Sequence, residues 1–434
     1  MLNPNAKIDI HKVRYQVVKQ ALAETKYQQT HDDVTALIIW WDGNITREQL
    51  VTVLPHQRIS RIPGMDLLCF KSVTFKALNQ LRNIFSKTYN FYPTTYLLPF
   101  QFSDFQKEHL KIAAKNGCPI TWIFKPRSGC CGNGIKLIQN SFEVSEPSNS
   151  GVIQKYVSPF LIDGYKFDFR LYIFLATTEP FTAYIYKEGL ARFCSQPYSA
   201  PTRENLSDKF CHLTNTSVNV SNDATNVEIC QLASTVFNKI KSKDQRGNVL
   251  WQRIKEVAAL VMLAQYTNIM EQIKLQENEN RTKQKSSNLG SPGPSVPFTR
   301  KFFHIIGIDI MLSEDCEPIL LEMNDRPSMC VTYDIENTLK TQLIKDALNI
   351  LTIDGKPPPS NAKFGGWEQI LPVNESTPFG QTVKKVFHRI QQKTNNSNHS
   401  TPSTKIFYPR ETRFSRSRAH VKYYKESSLP PLHQ

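Results

Sequence analysis

The sequence predicts a mixed fold of helices and β-strands, and four stretches carry that prediction. Residues 302–328 contain two apolar runs around a short polar turn, which is typical of a β-hairpin. Residues 166–175 alternate charged and apolar side chains, as a strand with two unlike faces does. Residues 229–240 and 251–273 have helical periodicity, the second with a long apolar stripe.

The first third of the chain predicts short elements separated by turns. Residues 34–41 read as a strand that ends at the turn signal Asp42-Gly43. Residues 46–54 and 70–85 are predicted helices, and a basic loop at 56–61 lies between them. Residues 91–99 are predicted to be extended, and a helix is predicted at 103–116.

The remaining elements suggest where the domains begin and end. Strands are predicted at 121–126, 135–139, 152–157 and 181–186, and a helix at 337–351. We expect an N-terminal extension at 1–30, an N-terminal subdomain at 31–120 and a larger unit at 121–355. A polar stretch at 277–297 predicts a mobile insertion, and the basic, proline-interrupted residues 356–434 predict a largely disordered tail.

The hairpin at 302–328 carries the strongest chemical signal. Asp309 and Glu322 stand inside apolar strands, where carboxylates are rarely left unpaired. Pairing about the turn would put Asp309 opposite Leu321 or Glu322, and Asn324 shares a face with Glu322. Three converging oxygen side chains suit Mg²⁺, which often shares its ligands with nucleotide phosphates. The alternative is a buried aspartate that accepts backbone N–H groups, with an unrelated glutamate nearby.

A glycine-rich stretch follows the strand that ends at Lys125. Gly129, Gly132 and Gly134 lie between two predicted strands, so the segment forms a flap. Its backbone N–H groups can approach phosphates closely. It is not a P-loop, because no Gly-Lys-Ser/Thr opens a helix. A glycine-rich hairpin turn without a ligand explains the pattern equally well.

The strand at 166–175 puts three charges on one face. Lys166, Asp168 and Arg170 alternate with apolar residues, so their side chains point the same way. That face is either a solvated outer surface or the polar floor of a cleft.

Composition narrows the class of protein and its partners. The 434 residues are 40% hydrophobic and 21% charged, as in a globular protein of two or three domains. The net charge of +15 favours an acidic partner. The sequence lacks any recognisable nucleic-acid module, and its longest apolar runs are too short to span a bilayer. An N-terminus without a signal-peptide core and nine irregularly spaced cysteines predict a reduced, cytosolic protein.

Taken together, these segments resemble the tubulin–tyrosine ligase-like family of ATP-grasp enzymes, and within it the polyglutamylase branch. The resemblance runs from about residue 40 to residue 355. It implies an α+β ATP-grasp fold, with nucleotide between two β-sheet subdomains and a smaller N-terminal α/β subdomain. The segments that carry it, in the family's order, are Lys125-Pro126 with the flap, 154–157, 164–172, 188–193, 212–215, and 320–324 with Pro327-Ser328.

The resemblance also implies roles for single residues. Arg170, Arg192 and Glu322 would be catalytic, and Asp309, Glu322 and Asn324 would bind one or two Mg²⁺ ions. The incoming amino acid would contact Arg192, Thr216, Ser217 and Lys340. ATP would contact Lys125, Cys131, Gly132, Gln154, Lys155, Tyr156, Val157, Lys166, Asp168, Thr214 and Asn215.

Three departures from the family concern the amino-acid pocket rather than the ATP site. Thr216 stands where the family usually has tyrosine, and Cys230 where glutamate-adding members carry a lysine in the following helix. Asp325-Arg326 follows the metal-binding asparagine, where a histidine or a small residue is common. The resemblance therefore implies ATP use more firmly than it implies glutamate as the co-substrate.

The implied activity is ligation of free glutamate to tubulin tails, through an acylphosphate made from ATP. Glutamate-rich tails would suit the basic surplus, with the loop at 56–61 and the tail at 405–425 as candidate contacts. A solvated tail without a partner is an equal alternative. We expect a monomer in the cytoplasm and on the cytoskeleton, including cilia, flagella or basal bodies, with an accessory protein left open. Neither nucleic acid nor membrane is an expected partner. The rivals are ligation of glycine or tyrosine, a non-tubulin acceptor, and a non-catalytic microtubule-binding homologue.

Overall fold

The computed structural model describes residues 6–397, except 26, 118, 128, 130, 131, 147, 223–227, 285–294, 353, 360 and 361. The described residues up to Arg389 belong to one compact unit, and those from Ile390 onward belong to a second. The candidate nucleotide contact Cys131 and the tail contacts at 405–425 therefore lie outside the described residues. None of the described helices is both long and apolar enough to cross a membrane.

Strands are numbered along the chain. They are β1 (Lys7–Lys12), β2 (Gln28–Thr30), β3 (Ile38–Trp41), β4 (Arg58–Ile59), β5 (Thr95–Leu98), β6 (Trp122–Pro126), β7 (Lys136–Ile138), β8 (Gly151–Lys155), β9 (Leu161–Ile162), β10 (Tyr165–Thr178), β11 (Phe181–Tyr186), β12 (Leu190–Phe193), β13 (Cys230–Leu232), β14 (His304–Leu312), β15 (Pro318–Asn324) and β16 (Trp367–Leu371).

Helices are numbered in the same way. They are α1 (Gln16–Ala23), α2 (Arg47–Val51), α3 (Met65–Leu68), α4 (Lys71–Arg82), α5 (Phe102–Asn116), α6 (Lys209–His212), α7 (Thr216–Asn219), α8 (Ala233–Lys243), α9 (Gly247–Gln284), α10 (Asp334–Ile350) and α11 (Pro378–Ser397). Short 3₁₀ turns lie at Ser141–Val144 and Phe298–Arg300. The mixed fold predicted from the sequence is confirmed.

The strands form three sheets. An N-terminal sheet has the order β2-β1-β3-β4, and its neighbouring strands are parallel. A small antiparallel sheet has the order β5-β8-β6-β7. A central sheet of eight strands is built around the long strand β10, which pairs with β12 and then β11 along one edge and with β14 along the other.

Two apolar cores hold these sheets. The larger core joins the N-terminal sheet, the central sheet and α10, through residues such as Ile8, Val18, Phe174 and Leu343. The smaller core packs α5 against the small sheet, with Phe105 and Trp122 at its centre. Burial of such large side chains contributes about 1.5–3 kcal/mol each. Each sheet therefore has its own apolar support.

Two predicted boundaries fall inside structural units. The boundary at residue 30 divides the N-terminal sheet, because β1 pairs with both β2 and β3. The boundary at residue 356 divides the central sheet, because β16 pairs with β11. Residues 7–30 and 367–371 are thus part of the folded unit, and not an extension and a disordered tail.

The predicted insertion at 277–297 begins inside a helix. The α9 helix continues to Gln284, beyond the end predicted at residue 273, and residues 285–294 lie outside the described part of the chain. Buried polar side chains, among them Gln272 and Gln276, continue the packed face of this helix past its apolar stripe. Gln276 donates to the Arg47 carbonyl oxygen at 2.9 Å. Because the buried side chains here are polar, the spacing of apolar residues in the sequence does not reveal this part of the helix.

Candidate active site

A cleft lies between the small sheet and the central sheet, and side chains from both sheets line it. The small sheet and the segments beside it contribute Pro93, Ile123, Lys125, Ile135, Gln154, Lys155, Tyr156 and Val157. The central sheet and its neighbours contribute Lys166, Asp168, Arg192, His212, Leu213, Thr214, Asn215, Asp309, Met311, Leu321 and Glu322. Most nucleotide contacts expected from the sequence therefore meet in one cleft.

The β14–β15 hairpin has the register predicted from the sequence. Asp309 and Glu322 are direct cross-strand partners, and Gly307 faces Asn324. The register shifts between Asp309 and Ile310, which leaves Leu321 as an extra residue on β15. Such a β-bulge interrupts the hydrogen-bonding ladder. The Leu321 carbonyl oxygen is turned to the cleft, where Lys125 Nζ approaches it at 3.4 Å.

Two carboxylates and two guanidinium groups form a buried cluster, here called the floor network: Asp168, Arg170, Arg192 and Asp309. Arg192 donates to both carboxylate oxygens of Asp168, at 2.8 and 2.6 Å, and to Asp309 at 2.8 Å. Arg170 holds Asp309 from the other side, with its Nη2 at 3.0 Å. Bidentate pairs of this kind are the strong form of charge-assisted hydrogen bond.

Strand register explains why the four residues of the floor network meet. Asp168 is the cross-strand partner of Arg192, and Arg170 is the partner of Asp309. Directly opposed residues share a face of the sheet, so alternation along β10 aligns all four side chains. The choice that the sequence left open is resolved: the charged face of β10 is the floor of a cleft and not a solvated surface.

The floor network fixes the protonation state of its central carboxylate. Burial acts to raise the pKa of Asp309, but Arg170 and Arg192 outweigh burial and hold that pKa well below its usual range. Asp309 is therefore ionised at any pH near neutral. Its negative charge is shared between two guanidinium groups.

Lys125 presents a different kind of charge on the opposite side of the cleft. Its side chain is 7% exposed, and no carboxylate of a described residue pairs with its ammonium group. Burial lowers the pKa of Lys125 to about 8, although the nearby Glu322 opposes the shift. The small sheet thus holds a cation that is easily discharged and open to an anionic ligand.

Lys166 lies deeper in the cleft, beside two polar neighbours. Its ammonium group donates to the Tyr156 hydroxyl at 2.9 Å and to the His212 carbonyl oxygen at 2.8 Å. Burial lowers the pKa of Lys166. Thr214 joins this region to the floor network, since its hydroxyl donates to Asp168 at 2.8 Å.

The Mg²⁺ ligands expected from the sequence carry oxygen donors at or next to the cleft. Asp309 and Glu322 present carboxylate oxygens to the same cleft, and Asn324, two residues beyond Glu322 on β15, carries an amide oxygen. Among the described residues, no group of three histidine, cysteine or carboxylate side chains could hold a metal. The residues nevertheless fit Mg²⁺, which is commonly held by one or two carboxylates together with substrate phosphates.

The structure leaves several expected amino-acid contacts outside the cleft lining. Lys340 is 2% exposed and bonded to the Cys330 carbonyl oxygen at 2.5 Å and to Glu336 at 3.2 Å. Thr216 and Ser217 lie in α7, directly after Asn215, which does line the cleft. Cys230 belongs to strand β13 and not to a helix, where it is the cross-strand partner of Arg192.

The flap comes close to the central sheet at Gly132. This residue has a φ of +80°, and a Cβ atom added to it would lie 3.0 Å from Val218 Cγ2 and 3.2 Å from Asn215 Oδ1. Both the backbone conformation and the close approach therefore require glycine. Gly132 packs on the first turn of α7, next to the cleft.

Two basic features depart from the sequence-based expectations. The loop at 56–61, expected to contact acidic tails, is largely interior: Arg58 is 2% exposed and donates to the carbonyl oxygens of Arg300, Thr352 and Ala176. A lone arginine in a polar loop gives no sign of such burial. Sequence reasoning also missed Lys71, the first residue of α4, which pairs with Glu322 at 3.3 Å.

Comparison with known proteins agrees with this geometry. The sequence profile of the tubulin-tyrosine ligase family matches residues 49–362. Over 355 residues the chain is 28% identical to tubulin polyglutamylase TTLL13 of Mus musculus, covering 80% of this chain and 41% of that protein. It is 30% identical to a probable beta-tubulin polyglutamylase of Tetrahymena thermophila, over 79% of this chain and 28% of the relative. It is 29% identical to tubulin polyglutamylase TTLL6 of Homo sapiens, over 80% of this chain and 37% of that protein. The chain spans less than half the length of each of these relatives.

Proposed function

Because the chain belongs to the tubulin-tyrosine ligase family, we propose that it is an ATP- and Mg²⁺-dependent ligase that adds glutamate to glutamate side chains on tubulin C-terminal tails. The observation that carries the proposal is the cleft between two sheets, with unpaired cations on one side and the floor network on the other. The polyglutamylase names of several relatives support glutamate as the amino acid and tubulin as the acceptor.

In this proposal the nucleotide occupies the cleft between the sheets, as in an ATP-grasp fold. Lys125 would bind phosphate oxygens, with Gly132 of the flap beside them. Residues 154–157 would pack and hydrogen-bond the adenine, and Lys166 and Asp168 would contact the base and ribose end. Thr214 and Asn215 would contact the phosphate end. Residues 121–355 would then hold the central and C-terminal subdomains of the fold.

The proposed reaction has two steps. A carboxylate oxygen of the acceptor attacks the γ-phosphorus of ATP, so that an acylphosphate forms and ADP leaves. The amino group of free glutamate then attacks the acyl carbon, inorganic phosphate leaves with the bonding electrons, and the amine loses a proton. Bound Mg²⁺ supplies charge neutralisation at the phosphates, and Asp309, Glu322 and Asn324 would hold it. The protein's own part is mainly positioning and electrostatic stabilisation.

Arg192 is the proposed contact for the carboxylate of the incoming amino acid. Its Nε and Nη2 already donate to Asp168 and Asp309, so Nη1 is the donor that would meet the incoming carboxylate. Its bidentate bond to Asp168 keeps it in a fixed orientation at the cleft wall. Thr216, Ser217 and Lys340 would complete the amino-acid site. Arg170 would hold the Asp309 carboxylate in position beside the reacting groups, because it donates hydrogen bonds to that carboxylate.

The amino acid is the least constrained part of the proposal. The residues Thr216 and Cys230 depart from the family pattern of glutamate-adding members, and these departures favour ligation of another amino acid as the second candidate. The proposed setting is the cytoplasm and the microtubule cytoskeleton, with the protein acting as a monomer.

A parallel ligation assay tests both candidates. The full chain is incubated with Mg-ATP and microtubules, together with labelled glutamate, glycine or tyrosine in separate reactions. We expect incorporation of glutamate alone. Incorporation of glycine or tyrosine instead would favour the second candidate. If ATP binds but no label is incorporated, the proposed function is wrong for this acceptor.

A further inference from the structure

A second pocket adjoins the candidate active site. It lies between the N-terminal sheet and the turn that follows β15, and its wall includes Arg61, Arg326, Tyr15 and Ser60. Neither Arg61 nor Arg326 belongs to the residues that line the nucleotide cleft. The pocket therefore offers two guanidinium groups that the proposed reaction has not used.

The second pocket meets the active site at Gly307. A Cβ atom added there would lie 3.1 Å from Pro327, which lines the second pocket. The same atom would lie 3.4 Å from Arg170 of the floor network and 3.4 Å from Asn324. Consequently a ligand in the second pocket would lie beside the residues proposed to hold Mg²⁺ and the floor network.

Arg61 has no acidic partner in this pocket. Its guanidinium group donates to two backbone carbonyl oxygens, those of Ser60 at 3.0 Å and Gly43 at 3.4 Å. Within the part of the chain that the structure describes, no carboxylate oxygen lies within 4.0 Å of it. Burial lowers the pKa of Arg61 to about 10, so the group is still charged at neutral pH. Asp42 and Asp325 act on Arg61 at longer range, but a partly buried guanidinium group that no described carboxylate contacts directly is a candidate anion site.

The other charged groups of the pocket, Asp42 and Arg326, form no ion pair with Arg61 in the described part of the chain. Asp42 is fully engaged, because one carboxylate oxygen accepts the backbone N–H groups of Arg14 and Tyr15 and the other accepts the Trp40 indole N–H. Arg326 uses Nε for Asp325 at 2.7 Å, and its terminal nitrogens bond to none of the described residues. The pocket thus has guanidinium donors that none of the described residues binds.

We propose that this second pocket binds a carboxylate of the acidic acceptor polypeptide, at a residue neighbouring the one that is modified. The proposal rests on the proposed function and deepens it by naming a subsite for the acceptor. Guanidinium groups match carboxylates in geometry and charge. Arg192 already serves the carboxylate of the free amino acid, and an extended acceptor advances about 3.3–3.6 Å per residue. The residue to be modified would enter the nucleotide cleft, and an acidic neighbour on the same extended segment would enter the second pocket.

Binding of a fluorescent poly-glutamate peptide, measured by anisotropy without ATP, tests this subsite apart from ligation. We expect Arg61→Gln to weaken peptide binding by at least about tenfold, since a charge-assisted pair is lost. Arg61→Lys should retain much of the affinity. Lys111→Gln is the matched control: it removes the same charge from a side chain that is 79% exposed and outside both pockets. Thermal unfolding and ATP binding confirm that each variant is folded.

Three outcomes would overturn the subsite. Equal weakening by Arg61→Gln and Lys111→Gln would mean that only net charge matters. Unchanged peptide binding in Arg61→Gln would also exclude it. A raised KM for free glutamate with unchanged peptide affinity would assign the pocket to the amino acid. If the wild-type chain binds the peptide but ligates no amino acid, the proposed function fails while the subsite is still tested by binding.

Discussion

The two walls of the cleft hold their charges in opposite ways. On the central sheet, the guanidinium groups of Arg170 and Arg192 are bound by the carboxylates of Asp168 and Asp309. On the small sheet, Lys125 meets only a carbonyl oxygen, at 3.4 Å. The ion pairs on the central sheet hold their side chains in place before a ligand arrives. Lys125, by contrast, keeps its charge available for a ligand. The difference suggests that one wall positions groups and the other binds phosphate.

The largest expected effect comes from removing the central charge of the paired wall. Asp309→Asn should lower the free energy of unfolding by about 3–5 kcal/mol, because two buried guanidinium groups lose their shared carboxylate. Chemical denaturation measures this loss. The control is Asp163→Asn, whose pair with Lys243 is exposed and should change stability little. Equal losses in the two variants would mean that the floor network does not stabilise the fold.

Glu322→Gln separates catalysis from stability on the same hairpin. We expect ligation to fall by a factor on the order of 100 or more, because a metal and phosphate contact is weakened. The fold should survive, since Glu322 pairs with a partly exposed Lys71 at 3.3 Å. Initial rates and thermal unfolding measure the two effects. Glu317→Gln, at the exposed turn of this hairpin, is the control. An unimpaired Glu322→Gln variant would refute the assignment of the site.

Arg192 tests whether the paired wall also binds the amino acid. Arg192→Ala should raise the KM for glutamate by at least about tenfold more than the KM for ATP, since a charge-assisted contact to the glutamate carboxylate is lost. Steady-state kinetics in both substrates give the comparison. Arg192→Lys keeps the charge for Asp168 and Asp309 but loses the paired donors, so it separates binding from folding. Equal increases in both KM values would show that Arg192 is misassigned.

Lys125 should give the smallest effect, as a pH dependence of ATP binding. Its pKa of about 8 means that it is protonated below that pH and neutral above it. ATP affinity should therefore fall as pH rises from 7 to 9, by up to about tenfold. Lys125→Arg stays charged and should bind ATP with little pH dependence over this range. A wild-type affinity that does not change with pH would contradict the role of Lys125.

Much of the site could be predicted because strand patterns are local. Two apolar runs about one turn placed Asp309 opposite Leu321 or Glu322, and the structure selects Glu322; the shared face of Asp168 and Arg170 followed from alternation. Lys71 and Arg61 could not be found in this way. Lys71 comes to Glu322 from a helix distant in sequence, and Arg61 is distinctive only because no described carboxylate forms an ion pair with it. A contact between two segments that are distant in the chain produces no periodic pattern of residues in the sequence.

The sequence by itself determined the elements, the hairpin register and the set of chemical groups, since each depends on side-chain periodicity within one segment. Only the tertiary structure decided how those groups are used. Three cations of the chain illustrate this. Arg192 is buried in ion pairs, Arg58 binds backbone carbonyl oxygens in the interior, and Lys125 pairs with no carboxylate of a described residue. A charge in the interior takes its role from the partners that other segments bring to it, because burial without a partner is costly.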